Sequence, residues 1–237
     1  MKVGDVKFDR GQYGEALSNY QGALDTFRRT EDRTDMALAL NAVGKVNTAQ
    51  GDFDQANNAF NEALATDRLL QNDLGVAQTM ANVGRMHYAK GDYNSAARYF
   101  DESLRIFRAQ EYKLGVAQVE NELGRTYVAK EDYDTALHYF GDALAAYQAI
   151  NDQLGKAYTL MNLGGAYAAK RDYQNAAAKF TEALNTYIAI KDPAGEGAAA
   201  AALGDVKYNQ ESYDGALADY GKACLLYTSP SPRDRTR

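Results

Sequence analysis

Small and aromatic residues recur along the chain in a pattern that repeats every 40 residues. Each copy has a glycine, an aromatic residue nine positions later, an alanine three positions after that and a second aromatic residue four positions further on. The glycines are Gly4, Gly44, Gly84, Gly124, Gly164 and Gly204, and the alanines are Ala16, Ala56, Ala96, Ala136, Ala176 and Ala216. Six copies in one register predict a repeat architecture.

Each copy predicts two helices. In the third copy, a first helix is expected over about 75–90, and Gly91-Asp92 separates it from a second helix over about 93–110. The second helices are expected to be capped by aspartates, because a carboxylate can accept hydrogen bonds from unpaired backbone N–H groups. These aspartates are Asp52, Asp92, Asp132 and Asp172.

The repeated glycines predict a close approach of two helices, since a glycine within a helix costs about 1 kcal/mol relative to alanine. We expect Gly124 to lie against the second helix of its own pair, with Ala136 at the matching place and Phe140 covering the contact. A single pair cannot bury its apolar face alone, so stacked pairs are expected to share a core.

Six residues of the fifth copy resemble the signature of the tetratricopeptide-repeat family. They are Leu160, Leu163, Gly164 and Tyr167, followed by Ala176 and Phe180. The resemblance implies an all-α fold, an α-α superhelix built as a solenoid of antiparallel helix pairs. It covers 1–223 as one array of about six units, both end units truncated, and implies that the first helices line a concave groove for a peptide or partner helix. The period of 40 rather than 34 residues resembles the longer-helix variant found in regulatory and scaffold proteins.

The repeat pattern stops at Cys224, and residues 224–237 resemble a translated sequencing adapter. We expect this segment to be a non-native, disordered tail; the alternative is a natural disordered tail, which its Ser, Pro and Arg residues would suit. The chain also starts within a first helix, which predicts a fragment of a longer protein. Its end repeats would then expose apolar surface and favour self-association.

Composition disfavours several kinds of partner and site. The net charge of −6 argues against nucleic acid, and no apolar stretch is long enough to cross a membrane. A single cysteine rules out a disulfide framework and a cysteine metal cluster within the chain. The start has no apolar signal-peptide core, so we expect a cytoplasmic protein, with a signal upstream of Met1 left open.

Nothing in the sequence indicates catalysis. His87 and His138 are far apart, Gly164-Gly165 lies within a predicted helix, and the carboxylates recur at capping and surface positions. No catalytic acid–base pair, metal-ligand set or phosphate loop is apparent. We therefore expect no enzymatic activity, no metal and no cofactor.

The first helices should project polar side chains into the groove in the second to fourth copies and more apolar ones in the fifth. The predicted groove residues are Asn41, Lys45, Gln78, Asn82, Arg85, Tyr88, Gln118, Asn121, Arg125, Tyr158, Met161 and Asn162. Asn82 and Asn162 match an asparagine that holds the ligand backbone in related long-repeat modules.

Lys45, Arg85 and Arg125 are each one repeat apart and predict a row of cations facing acidic ligand residues. The alternative is a solvated helix face, since Asp5 and Asp205 occupy the same place in the end copies.

The sequence thus predicts a module for protein–protein interaction within a larger regulatory or scaffold protein. The alternative is a sensory or regulatory arm of a signalling enzyme or transcription regulator.

Overall fold

The computed structural model describes residues 1–228, which form twelve α-helices and no strand. The helices are α1 (Lys2–Asp9), α2 (Tyr13–Arg29), α3 (Arg33–Gln50), α4 (Phe53–Leu69), α5 (Asp73–Ala89), α6 (Tyr93–Ala109), α7 (Lys113–Ala129), α8 (Tyr133–Ala149), α9 (Gln153–Ala169), α10 (Tyr173–Ile190), α11 (Pro193–Asn209) and α12 (Tyr213–Thr228). The predicted all-α class is confirmed, and the boundaries predicted for the third copy agree with α5 and α6 to within two residues.

Helix and turn lengths account for the 40-residue period. α5 and α6 each have 17 residues, and each is followed by a turn of three residues. Every turn between the described helices contains one residue with a positive φ, which lets the backbone fold back and satisfy the last helical carbonyls. After α5, for example, Gly91 N donates to Tyr88 O at 3.0 Å and Asp92 N donates to His87 O at 2.9 Å.

The predicted capping aspartates behave in two ways. The side chains of Asp92, Asp132 and Asp172 accept hydrogen bonds from the backbone N–H groups three residues later. The prediction for Asp52 is wrong, because its side chain makes no capping hydrogen bond. The first turn of α4 is held there by the backbone alone, with Ala56 N donating to Asp52 O at 2.9 Å.

The helices form two compact units, Met1–Thr126 (unit 1) and Tyr127–Arg237 (unit 2). In unit 1, consecutive helices pack against each other from α1 to α6, and α3 also packs beside α5. In unit 2, consecutive helices pack from α8 to α12. Pairing with the neighbour in sequence is therefore the rule within both units.

A glycine against an aromatic ring forms a contact that recurs in five of the helix pairs. A Cβ atom on Gly44 would lie 2.4 Å from Phe60 Cε1, and one on Gly164 would lie 2.5 Å from Phe180 Cε1. The same arrangement recurs at Gly4, Gly84 and Gly204, against Tyr20, Phe100 and Tyr220. The six repeated alanines are between 0% and 2% exposed, so the predicted register of buried positions is confirmed.

The C-terminal helix passes the predicted end of the array at residue 223. α12 continues through Cys224 to Thr228, so residues 224–228 are helical rather than part of a disordered tail. Leucine is a good helix former and no proline lies between Cys224 and Thr228, so nothing in this stretch stops the helix. Residues 229–237 of the predicted tail lie outside the described residues.

Adjacent glycines in α9 test the helix contact directly. Gly164→Ala should lower the free energy of unfolding by roughly 1–3 kcal/mol, because the new methyl group would displace the ring of Phe180. Gly165→Ala, which meets no atom within 4 Å, should raise it by up to about 1 kcal/mol through helix propensity. Denaturant unfolding of the two variants checks both signs, and equal stabilities would contradict the close-approach interpretation.

Ala136 tests the core of unit 2. It is fully buried and belongs to the cluster that includes Phe140, Leu160 and Leu163. Ala136→Phe should overpack this cluster and lower the free energy of unfolding by roughly 1–3 kcal/mol or more. Thermal unfolding measures the loss, with Ala145→Phe at an exposed position of α8 as the control. A parental melting temperature for Ala136→Phe would show that the register of buried positions is wrong.

Candidate functional site

α3 and α5 lie side by side in unit 1 and border a cleft of about 710 Å³. This cleft, hereafter the α3–α5 cleft, is lined by residues of α1, α2, α3 and α5. Its wall includes part of the predicted groove set, namely Asn41, Lys45, Gln78, Asn82 and Arg85. Residues one repeat apart in the sequence thus contribute to a single cleft.

Hydrogen bonds connect the two asparagines of the cleft to Arg85. Asn82 Nδ2 donates to Asn41 Oδ1 at 2.9 Å, and Arg85 Nη1 donates to Asn82 Oδ1 at 2.9 Å. Asn41 Nδ2 in turn donates to Thr79 Oγ1 at 2.7 Å. Asn82 is only 5% exposed, so its amide is engaged mainly with its neighbours, whereas Lys45 and Gln78 are exposed.

The predicted row of cations is interrupted by a carboxylate that the sequence did not single out. Glu122 Oε1 accepts from Arg85 Nε at 2.7 Å, and Glu122 Oε2 lies 2.9 Å from Arg125 Nη1. The guanidinium of Arg125 also lies over the ring of Tyr88, at 5.2 Å from its centroid. Glu122 therefore holds the two arginines in place and offsets part of their charge.

The third cation of the row has a different setting. Lys45 Nζ lies 5.4 Å from the centroid of the Phe8 ring, an arrangement typical of a cation–π contact. Lys45 is exposed and forms no ion pair among those found in the described residues. Its charge is consequently less compensated than that of Arg85.

The other predicted site residues lie on α5, α7 and α9. Tyr88 is half-buried on α5; on α7, Gln118 is exposed and Asn121 is buried. Tyr158, Met161 and Asn162 belong to α9 in unit 2, where Tyr158 is 44% exposed and Met161 packs against the core. The predicted set is thus divided between the two units.

One side of the α3–α5 cleft is apolar, which the sequence analysis did not predict. Phe27 and Leu38 line it, and Leu38 is 57% exposed. Two repeats later, Phe107 is buried over Gly115. Asp35 stands where that glycine would be, so Phe27 cannot pack in the same way and stays half-buried at the cleft. The replacement of a repeated glycine by Asp35 was the available signal.

Two titratable groups near the cleft have raised pKa values. The Tyr20 hydroxyl donates to Asp5 Oδ1 at 2.7 Å. Burial raises the pKa of Tyr20, and the hydrogen bond to Asp5 and the charge of that carboxylate raise it further, so the phenol stays protonated. Burial also raises the pKa of Asp67, against the opposing effect of hydrogen bonds from Asn72 and Thr79.

The cleft offers amide donors, two cations and an apolar wall, which are groups suited to binding. In the part of the chain that the structure describes, no cluster of three or more His, Cys, Asp or Glu side chains could hold a metal ion. Across the described helices, none has the length and apolar character needed to cross a membrane.

Solved structures of repeat proteins resemble this chain over most of its length. BtubC (BKLC) from P. vanneervenii superimposes with a TM-score of 0.82 at 19% identity, covering 93% of this chain and 95% of that one. A Rap protein complexed with Competence and Sporulation Factor gives a TM-score of 0.75 at 15% identity, covering 95% of this chain and 72% of that one.

A third similar structure belongs to a much larger protein. The signal transduction ATPase with numerous domains from Pyrococcus horikoshii, which has a tetratricopeptide-repeat sensor, gives a TM-score of 0.75 at 15% identity. The alignment covers 99% of this chain but 39% of that protein. No sequence match to a curated protein accompanies these similarities.

The family assignment rests on the sequence itself. The profile described as tetratricopeptide repeat matches residues 1–68, 75–149 and 115–189. These ranges include most of the repeat copies, and the structural similarities confirm the predicted solenoid of helix pairs. Repeat proteins of this kind use the surfaces of their stacked helices for protein–protein interaction. The chain therefore belongs to the tetratricopeptide-repeat family.

Proposed function

We propose that this chain is a protein–protein interaction module of a larger regulatory or scaffold protein, and that its α3–α5 cleft binds a peptide or partner segment. The observation that carries the proposal is the cleft itself. It combines apolar surface at Phe27 and Leu38 with the polar side chains of Asn41, Gln78 and Arg85. Clefts that combine apolar surface with a few convergent polar groups are the usual binding sites of proteins.

The ligand proposed for this cleft carries acidic residues. Asn82 and Glu122 engage Arg85 Nη1 and Nε, which leaves further N–H donors of its guanidinium for a carboxylate. Lys45 and Arg125 extend the same row from α3 and α7. Neighbouring helices lie on the order of 10 Å apart. An extended peptide rises about 3.3 Å per residue, so acidic residues about three apart would meet successive cations.

Charge should control the rate and orientation of binding more than its strength. An exposed ion pair contributes only about 0.2–1 kcal/mol. Glu122 further reduces the positive potential between Arg85 and Arg125. The apolar wall at Phe27 and Leu38 would then supply much of the affinity, and the cations would steer the ligand.

Unit 2 is proposed to provide a second, more apolar contact surface on α9. Tyr158 is 44% exposed, and Met161 is half-buried against the core. An apolar ligand residue is expected to contact Met161, with Asn162 beside it. The cytoplasmic location stays a prediction, as does the absence of nucleic acid and membrane among the partners.

The second candidate function is a sensory arm that regulates an attached effector domain. The similarity to the Pyrococcus horikoshii ATPase favours it, because that protein is described as having a tetratricopeptide-repeat sensor. The two candidates differ in the domains that flank the repeats, so the uninterrupted gene would distinguish them.

Selection from a display library of short random peptides tests the proposed function. Peptides enriched on the immobilised chain should contain Asp or Glu together with an apolar residue. They should lose binding when Leu38→Asp places a like charge and a polar group in the cleft wall. Enriched peptides that lack acidic residues, or that bind Leu38→Asp as well as the parent, would contradict the proposal.

The role of the cations is tested with the selected acidic peptide by stopped-flow association. Arg85→Gln with Arg125→Gln should slow association and weaken its salt dependence, because steering by opposite charge is lost. Glu122→Gln should do the reverse, since it removes the charge that offsets both arginines. Equal rates and salt responses for the parent and both variants would mean that these cations form only a solvated face.

Self-association is the remaining part of the proposal, with a second copy of the chain as the partner. Val3 and Val6 of α1 are 60% and 50% exposed, whereas Val46, one repeat after Val6, is fully buried. Leu217 and Leu225 of α12 are 72% and 69% exposed. Such apolar surface promotes association.

Sedimentation velocity over a range of concentrations measures this association. The parent should form dimers or larger species as the concentration rises, and Val3→Lys with Val6→Lys should shift the equilibrium toward the monomer. A chain that stays monomeric at every concentration would refute the prediction.

A further inference from the structure

Asp67 departs from the repeat at a position that is otherwise aromatic. The residues at one-repeat intervals from it are Phe27, Phe107, Tyr147 and Tyr187. Asp67 is 2% exposed, so a carboxylate is buried where the other repeats place a ring. Burying an ionised carboxylate is costly unless it is hydrogen-bonded.

Two neighbours of Asp67 also differ from most of their counterparts and supply those hydrogen bonds. Asn72 Nδ2 donates to Asp67 Oδ1 at 2.8 Å, and Thr79 Oγ1 donates to Asp67 Oδ2 at 3.4 Å. The counterparts of Asn72 include Asp152 and Asp192, which have no amide to donate. Two departures from the repeat therefore supply hydrogen bonds to a third, the buried Asp67.

The same threonine connects the buried carboxylate to the α3–α5 cleft. Thr79 Oγ1 accepts from Asn41 Nδ2 at 2.7 Å while it donates to Asp67. Asn41 Oδ1 accepts from Asn82, and Asn82 Oδ1 accepts from Arg85. In this series of hydrogen bonds, each group donates to the next one in the direction from Arg85 to Asp67.

Arg85 and Asp67, at the two ends of this series of hydrogen bonds, determine the direction of the bonds between them. An arginine has only donors, and an ionised aspartate has only acceptors. An asparagine amide could point either way by shape, so its orientation depends on what its neighbours donate and accept. With Arg85 at one end and Asp67 at the other, each asparagine amide has only one orientation in which its oxygen accepts and its NH₂ group donates along the series.

We propose that Asp67 is a positioning residue, which acts through Thr79 to fix the side-chain amides of Asn41 and Asn82 in the α3–α5 cleft. The significance of this for ligand binding rests on the proposed function, whereas the positioning itself does not. Packing supports the assignment, because Gly75 faces Asp67 as Gly115 faces Phe107, and so leaves room for a ring. The burial that raises the pKa of this carboxyl also indicates that a ring would be the more favourable occupant for stability.

The test uses two substitutions that copy residues from other repeats. Asp67→Phe introduces the residue found at Phe27 and Phe107, and Thr79→Val introduces the residue found at Val119. Thr159→Val is the matched control, because Thr159 holds the same repeat position but its hydroxyl donates to Gly155 O, within its own helix, at 2.9 Å. The readout is NMR of the Asn41 and Asn82 side-chain amides and of the Arg85 Nε–H group.

Both Asp67→Phe and Thr79→Val should change the chemical shifts of the Asn41 and Asn82 amides. They should also speed the hydrogen exchange of those amides by about tenfold, the scale set by one lost hydrogen bond. Thr159→Val should change neither, and the melting temperature of Asp67→Phe should equal or exceed that of the parent. If Asp67→Phe fails to fold, Thr79→Val decides the question. Exchange rates in Thr79→Val equal to those in Thr159→Val would overturn the proposal.

A second readout separates this inference from the proposed function. The acidic peptide selected on the parent should bind Asp67→Phe more weakly than the parent, although that variant is at least as stable. Failure to select any peptide would count against the proposed function alone, because the NMR experiment uses no ligand. Undiminished peptide binding to Asp67→Phe, with the amide signals altered as expected, would show that the asparagine orientation does not serve this ligand.

Discussion

The contact between a helical glycine and an aromatic ring of the next helix is the constraint on which the packing of five helix pairs depends. At Gly44 and Gly164 even a methyl group would lie within about 2.5 Å of a ring carbon, far inside van der Waals contact. The backbones can approach only because that group is missing, and the ring then fills the space between them. Every copy keeps this glycine although it destabilises the helix, because its contact with the ring sets the distance between the two helices.

The paired helices place first helices of neighbouring repeats side by side, and the chemistry of the cleft follows from that adjacency. α3 and α5 are brought together in unit 1, so Asn82 can donate a hydrogen bond to Asn41 although the two belong to successive repeats. Arg85 and Glu122 meet in the same way. The polar groups of the cleft are therefore already oriented, which would reduce the entropic cost of the proposed ligand binding.

The fold could be predicted almost completely, whereas the site could be predicted only in outline. Ala136 and Gly164 recur at a fixed interval, and a recurring small residue has a single explanation in helix packing. The groove positions of Lys45 and Arg85 followed from the same register, and both line the cleft. The partner of Arg85 did not follow. Glu122 lies at a variable position that holds lysine, alanine or asparagine in the other copies, and the repeat pattern predicts nothing about such a position.

The sequence by itself determined the helices, their lengths, their pairing and the buried face of each, because all of these depend on local spacing that every copy repeats. Only the tertiary structure decided which charged, polar and aromatic side chains lie next to one another. Glu122 between two arginines, Phe27 at the cleft and Asp67 beneath it each depend on residues from two or more helices. The charge and the hydrogen bonds of a group depend on its neighbours in space, and the repeat spacing along the sequence does not predict those neighbours.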